Sequence, residues 1–123
     1  MHLQEKTVKS DVVYEGPIFT ITHDIAELEN GKNSVRDVLH HHGGVCVVPV
    51  TENNEIYLVR QFRYPFAAVT TEVPAGKLEK GEDHAACGRR ELLEEVGCEC
   101  SEFIYLGEML PTPAYDTEIT HMY

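Results

Sequence analysis

Nine residues, RRELLEEVG from Arg89 to Gly97, gather three glutamates and two arginines around a small apolar set. On a helix, Glu91 and Glu95 fall one turn apart on a common face, and Glu94 lies on the flank of Glu91. Leu92 and Val96 then point away, toward a core, so one side can be packed while the other collects carboxylates. Like charges at this spacing destabilise an isolated helix by about 0.2–0.5 kcal/mol per pair. A hard divalent cation turns that repulsion into binding, because Mg²⁺ takes a few carboxylates together with water and phosphate oxygens. Arg90, four residues before Glu94, can steady the group when no metal is there. Taken alone, the acids fit a solvated acidic face better than a metal site.

The elements that must carry these residues are legible in outline. Apolar Ala85, Leu92 and Val96 form one stripe of a helix running from Glu82 to Val96, with Ala86 and Leu93 beside it. Gly81 is the expected N-cap, Glu82 and Asp83 belong to the first turn, and Gly97 is the natural stop. Gly88 inside the helix costs about 1 kcal/mol relative to alanine, which close contact with a neighbouring strand would explain. Ahead of the helix the chain reads as strands. Ile18 to Leu28 and VRDVLHH (residues 35–41) frame a hairpin around Asn30-Gly31. Val45 to Thr51 reads as a strand buried on both faces. Glu55 to Arg63 is another strand, and AVTTEVP (residues 68–74) is a shorter extended piece before Pro74-Ala75-Gly76. After the helix, EFIYLGEML is a strand, PTPAYD a loop and TEITHMY the start of a further strand. Ending there on Ile119, Met122 and Tyr123, the chain reads as truncated at its C-terminus.

Bulk properties set limits. A chain of 123 residues, 42% hydrophobic, suits one domain with a real core. Its formal charge of −11 argues against nucleic acid as a partner, while a small anionic substrate stays open if a bound cation reverses the local sign. No apolar run approaches the roughly 20 residues of a membrane span, and the polar start lacks a signal-peptide core. A cytoplasmic protein follows as the default. Cys46, Cys87, Cys98 and Cys100 form no CxxC pair and read as reduced packing or surface thiols. His40-His41-His42 invites a metal reading, but alternation along a strand sets His41 opposite its neighbours.

The frame around the acids changes their reading. GKLEKGEDHAACGRRELLEEVGC fits the pattern G-x5-E-x7-R-E-U-x-E-E-x-G-U, with U a bulky aliphatic residue. Gly76, Glu82, Arg90, Glu91, Glu94, Glu95 and Gly97 hold the fixed positions and Leu92 the first aliphatic one; Cys98 departs mildly at the last. This pattern, residues 76–98, is the Nudix box, and the chain resembles Nudix hydrolases. The resemblance implies an α/β/α sandwich around a mixed sheet, with residues 43–123 as an incomplete Nudix domain. Residues 1–42 are then N-terminal strands that contact substrate and a dimer partner. It further implies Mg²⁺, with Mn²⁺ as a substitute, held by Glu91 and Glu95, by Glu94 directly or through water, and by the carbonyl of Ala75. Arg90 would orient the glutamates, and Glu82 would brace the loop or complete an outer shell.

The flanks resemble the ADP-ribose pyrophosphatase subgroup. VRQFRYPFAAVTTEVPAGKLE is similar to its strand and loop leading into the box, and VRDVLHHHGGV to the segment that reaches across a homodimer. PTPAYDTE resembles its Ser-Pro-Gly loop, with Ala114 where glycine is usual, a departure that bears on the terminal-ribose pocket. On that likeness Arg36 and Arg63 are candidate diphosphate or ribose contacts, and Glu72 and Glu118 candidate substrate ligands. The bland readings are a surface Arg63, an Arg36 paired with an acid of its own sheet, and solvated glutamates. Tyr64 and Phe66 are candidates for stacking on adenine, with packing the commoner fate. The subgroup's general base is expected beyond residue 123. The implied activity is hydrolysis of ADP-ribose to AMP and ribose 5-phosphate. The alternatives are a Nudix hydrolase of another nucleoside diphosphate sugar or dinucleotide, and a non-catalytic nucleotide-sensing module.

Overall fold

The structure, a computed structural model, describes residues 3–123, so the first two residues of the N-terminal segment lie outside the described residues. The chain divides into two compact units, residues 1–42 with 110–118, and residues 43–109 with 119–123.

The first unit is a three-stranded antiparallel sheet of β1 (Lys6–Glu15), β2 (Phe19–Glu27) and β3 (Asn33–His41), in that order. The β2–β3 hairpin is the one expected, and Gly31 takes the positive φ its turn requires. Residues 1–42 were expected as N-terminal strands, but the bounds of β1 were not foreseen. Its pairing with β2 shifts register between Thr7 and Lys9 and again between Val12 and Tyr14, and such bulges break the two-residue alternation that announces a strand. Residues 110–118, distant in sequence, join this unit through Leu39 N–H to the Tyr115 carbonyl (2.7 Å) and Thr117 N–H to the Leu39 carbonyl (2.9 Å).

The second unit is built on a mixed sheet. Its strands are β4 (Gly44–Cys46), β7 (Ala75–Lys77), β8 (Gly107–Met109) and β9 (Thr120–Met122), ordered β7-β4-β9-β8. Only β4 and β9 run parallel. β5 (Val59–Arg63) and β6 (Ala68–Glu72) form a separate antiparallel hairpin. The apolar run from Val45 was expected to continue as a buried strand to Thr51. The ladder instead stops early: Pro49 has no N–H to donate, and beyond it Val50 is exposed. Val47 N–H and Val48 N–H still extend the pairing, to the carbonyls of Pro74 and Tyr123.

One α-helix is present among the described residues, α1 (His84–Val96), lying against β4 and β7. It begins two residues later than expected. Asp83, not Gly81, is the N-cap: its carboxylate accepts the Ala86 N–H at 2.9 Å, an interaction that stabilises a helix by about 1 kcal/mol. Glu82 therefore precedes the helix. Gly97 ends it in the left-handed conformation, φ 75°, as expected. Val45, Val47, Cys87, Leu92 and Tyr123 make the core, with Leu78, Ala85, Val96, Cys100 and Phe103 packed against it. Ala86 and Leu93 stay exposed, so the apolar stripe runs through Cys87 and Leu92. Gly88 explains itself: a Cβ there would lie 2.8 Å from Phe103 Cζ and 3.1 Å from Val45 Cγ1. No helix is long and apolar enough to cross a membrane among the described residues.

Candidate active site

Ala75 and Gly76 sit on β7, one of the two edge strands of the mixed sheet, and α1 lays carboxylates over them. Ala75 donates its N–H to Glu95 Oε2 at 3.2 Å. In an antiparallel ladder a residue's N–H and C=O leave the strand on the same side, so the Ala75 carbonyl also faces away from β4. Glu91 passes over Gly76 so closely that a Cβ there would collide with its Cγ, Cδ and Oε1. The side chain of Glu91 is 15% exposed and that of Glu94 58%, which ranks them as inner and outer carboxylates.

Arg90 ties these acids together. Its guanidinium donates to Glu91 Oε1 (3.0 Å), Glu94 Oε2 (3.3 Å) and Glu82 Oε1 (3.1 Å). Glu82 is also held by the Glu79 N–H at 2.9 Å. That backbone bond, aided by Arg90, lowers the Glu82 carboxyl below its usual range. The Glu82 bond does most to raise the Arg90 guanidinium further above its ordinary value. Burial raises the Glu91 carboxyl, with Arg90 opposing.

Among the described residues no three His, Cys, Asp or Glu side chains already surround one metal-sized point. Arg90 instead supplies the positive charge among Glu82, Glu91 and Glu94. The donors are nonetheless hard oxygens on one face, and the space a Cβ would fill at Gly76 is used to seat Glu91. That chemistry fits a hard divalent cation better than a soft one.

The other predicted residues fall in two places. Arg63 and Glu72, foreseen as separate substrate contacts, pair with each other: Arg63 Nε donates to Glu72 Oε2 at 2.8 Å and Nη2 to Oε1. The Glu72 bond does most to raise the Arg63 guanidinium above its ordinary value, and the more distant charge of Glu95 adds to it. The hairpin register alone does not reveal the pairing, because it sets Arg63 opposite Ala68 and Glu72 opposite Val59. Arg36 and Glu118 belong to the first unit. Arg36 clasps Glu5 through Nε (2.9 Å) and Nη2 (2.7 Å); an acid partner was the alternative expected, though Glu5 lies just ahead of β1 and not within the sheet. Glu118 donates its N–H to Asp116 at 2.8 Å. His40 contacts Thr22 Oγ1 at 2.9 Å rather than joining its neighbours. Tyr64 and Phe66 are 87% and 81% exposed, so packing has not claimed them. All four cysteines are free.

Comparison with known proteins bears on this arrangement. A family model of the NUDIX domain matches residues 40–123, and one of the nucleoside diphosphate sugar hydrolase N-terminal domain matches residues 5–39. The chain is 40% identical over 120 residues to the methanol dehydrogenase activator of Bacillus methanolicus. It is 36% identical over 121 residues to an ADP-ribose pyrophosphatase of Bacillus subtilis. Each alignment takes in 98% of this chain and 65% of the relative, so the chain spans about two thirds of their length. An ADP-ribose pyrophosphatase of Mycobacterium tuberculosis is 31% identical over 119 residues, 96% of this chain and 58% of that protein. The crystal structure of an ADP compounds hydrolase superposes with a TM-score of 0.85 over 99% of this chain and 67% of that one, at 21% identity. That likeness speaks to the fold.

Proposed function

Since the chain belongs to the Nudix family, we propose that it hydrolyses the diphosphate of ADP-ribose, giving AMP and ribose 5-phosphate. The observation that carries this reading is the seating of Glu91 over Gly76 beside the Glu95–Ala75 bond. Glu91 and Glu95, with Glu94 outermost and the Ala75 carbonyl on the same side, would hold Mg²⁺ or Mn²⁺. A bound cation there supplies Lewis acidity to the phosphoryl oxygens and lowers the pKa of attacking water. Arg90 offsets the mutual repulsion of these carboxylates in the absence of a cation, and Glu82 fixes Arg90. Arg63 meets a phosphate oxygen, with Glu72 behind it. Arg36 and Glu118, both of the first unit, are proposed substrate contacts, and Arg36 must release Glu5 to serve as one.

The N-terminal sheet is proposed to pair with a second copy, because β1 leaves Val8, Val12 and Val13 exposed. We place the protein in the cytoplasm, where four free thiols persist. A charge of −11 supports a small metal-bound anion, not nucleic acid, as ligand. A second reading, an activator of another enzyme, has the 40% identity to the methanol dehydrogenase activator behind it. A nucleotide-sensing module has less support, since a sensor has no evident need for all three glutamates.

Incubation with ADP-ribose and Mg²⁺, followed by separation of products, decides between them. Equal amounts of AMP and ribose 5-phosphate are expected. Tight nucleotide binding with no turnover would overturn the hydrolase reading in favour of the others.

A further inference from the structure

Cross-strand partners in the β5–β6 hairpin are Val59 with Glu72, Gln61 with Thr70, and Arg63 with Ala68. Partners point to the same face of a sheet, and alternate residues share it. Arg63 and Glu72 therefore lie on one face with the Gln61–Thr70 pair between them. Arg63 reaches back along the face to meet Glu72 through both Nε and Nη2. Thr70 Oγ1 has two acceptors in range, the Gln61 carbonyl at 3.3 Å and, closer, Glu72 Oε2. A hydroxyl carries one proton, and the ionised, nearer acceptor takes it. Glu72 Oε2 thus receives Arg63 Nε–H and Thr70 O–H together, which leaves the carboxylate little freedom to turn.

We infer that Thr70 is a positioning residue: its hydroxyl clamps the Glu72 carboxylate, and the clamped carboxylate holds the Arg63 guanidinium where a diphosphate oxygen would meet it. The pairing bonds, Arg63 first and Thr70 second, bring the Glu72 carboxyl down to about 2, so the clamp is ionised throughout the neutral range. Three residues beyond Glu72, Ala75 holds Glu95, and Gly76 seats Glu91. One short stretch of backbone therefore joins the arginine's counter-ion to the carboxylate cluster. Without the hydroxyl, Glu72 can rotate and Arg63 must be ordered again at each binding event. The loss falls on substrate affinity and leaves the chemical step alone. The diphosphate part of this inference rests on the function proposed above; the clamp itself does not.

Thr70→Val keeps the branched shape without the hydroxyl, and Thr70→Ser restores a hydroxyl without the methyl. With ADP-ribose and Mg²⁺, Thr70→Val is expected to raise KM by about three- to tenfold, the effect of freeing one flexible side chain. Its kcat should stay within about twofold, and Thr70→Ser should return KM to near the starting value. Exchange of the Arg63 Nε proton with water, read by ¹⁵N NMR on the free protein, should speed up in Thr70→Val and recover in Thr70→Ser. Should Thr70→Val not fold, Thr70→Ala makes the same comparison. An unchanged exchange rate overturns the clamp. Faster exchange with an unchanged KM, or a fall in kcat at constant KM, overturns its role in binding. If the unsubstituted protein leaves ADP-ribose intact, the proposed function fails, and proton exchange still decides the clamp.

Discussion

The side chain of Glu91 occupies the space directly over Gly76, where any Cβ would meet its Cγ, Cδ and Oε1. A glycine fifteen residues upstream of a helical glutamate is thus part of how that carboxylate is held. Gly76→Ala should fold, because the obstructed group is a side chain able to swing aside. Melting temperature should change little, while affinity for divalent cation drops about tenfold or more, the effect of disturbing what orients a ligand. Normal cation affinity in a folded Gly76→Ala protein would show that the seating is incidental.

Gly88 presents the opposite balance. Replacing a mid-helix glycine by alanine gains about 1 kcal/mol of helix propensity, but here the new methyl would press on Phe103 and Val45 from 2.8 and 3.1 Å. Overpacking of that kind costs about 1–3 kcal/mol. Gly88→Ala should therefore yield no gain in urea denaturation, and Gly88→Val a clear loss. A stabilised Gly88→Ala protein would contradict the close helix–strand contact.

Glu95 tests the carboxylates by chemistry. Glu95→Gln keeps the shape and can still accept from Ala75 N–H, so the fold should hold. Turnover should fall at least tenfold, on the order of what one catalytic electrostatic contact supplies. Near-normal turnover would remove Glu95 from the ligand set.

A pH dependence follows from the ring cluster at β9. The His121 ring stacks on His84 at 3.8 Å, with Tyr105 Oη 3.2 Å from its Nδ1, while Tyr123 Oη lies 2.6 Å from His84 Nδ1. Burial, and then the neighbouring His84, lower the His121 pKa below its ordinary value, and Glu108 at 3.9 Å opposes them. The unfolded chain therefore binds this proton more readily. The stability linked to His121 is complete above its unfolded pKa of about 6.5 and is lost as pH falls through the lower folded value. Melting curves from pH 8 to pH 5 should show His121→Phe losing less stability than the unsubstituted protein. Parallel losses would rule out the link.

The box, its helix and its stop were legible because they depend on local spacing: Glu91 and Glu95 share a face whatever surrounds them. The N-cap was misplaced because Gly81 and Asp83 both suit a helix start, and only the Asp83 carboxylate reaching Ala86 decides between them. The bounds of β1 were hidden by its bulges, and the apolar stretch from Val45 overran because its hydrophobicity hides the missing donor of Pro49. Pairing between distant residues was least visible. Nothing local in Arg63 or Glu72 announces the other, and Arg36 gives no sign of Glu5 across 31 positions.

Hydrolysis of this kind depends on the α1 carboxylates binding a divalent cation. Titrating Mn²⁺ at about 0.15 M salt, where diffuse attraction to acidic surfaces is largely screened, and following the free-ion EPR signal tests this directly. The unsubstituted protein should deplete the signal saturably, Mg²⁺ should restore it, and the Glu91→Gln/Glu95→Gln double variant should leave it intact. Equal depletion by the double variant would contradict the account.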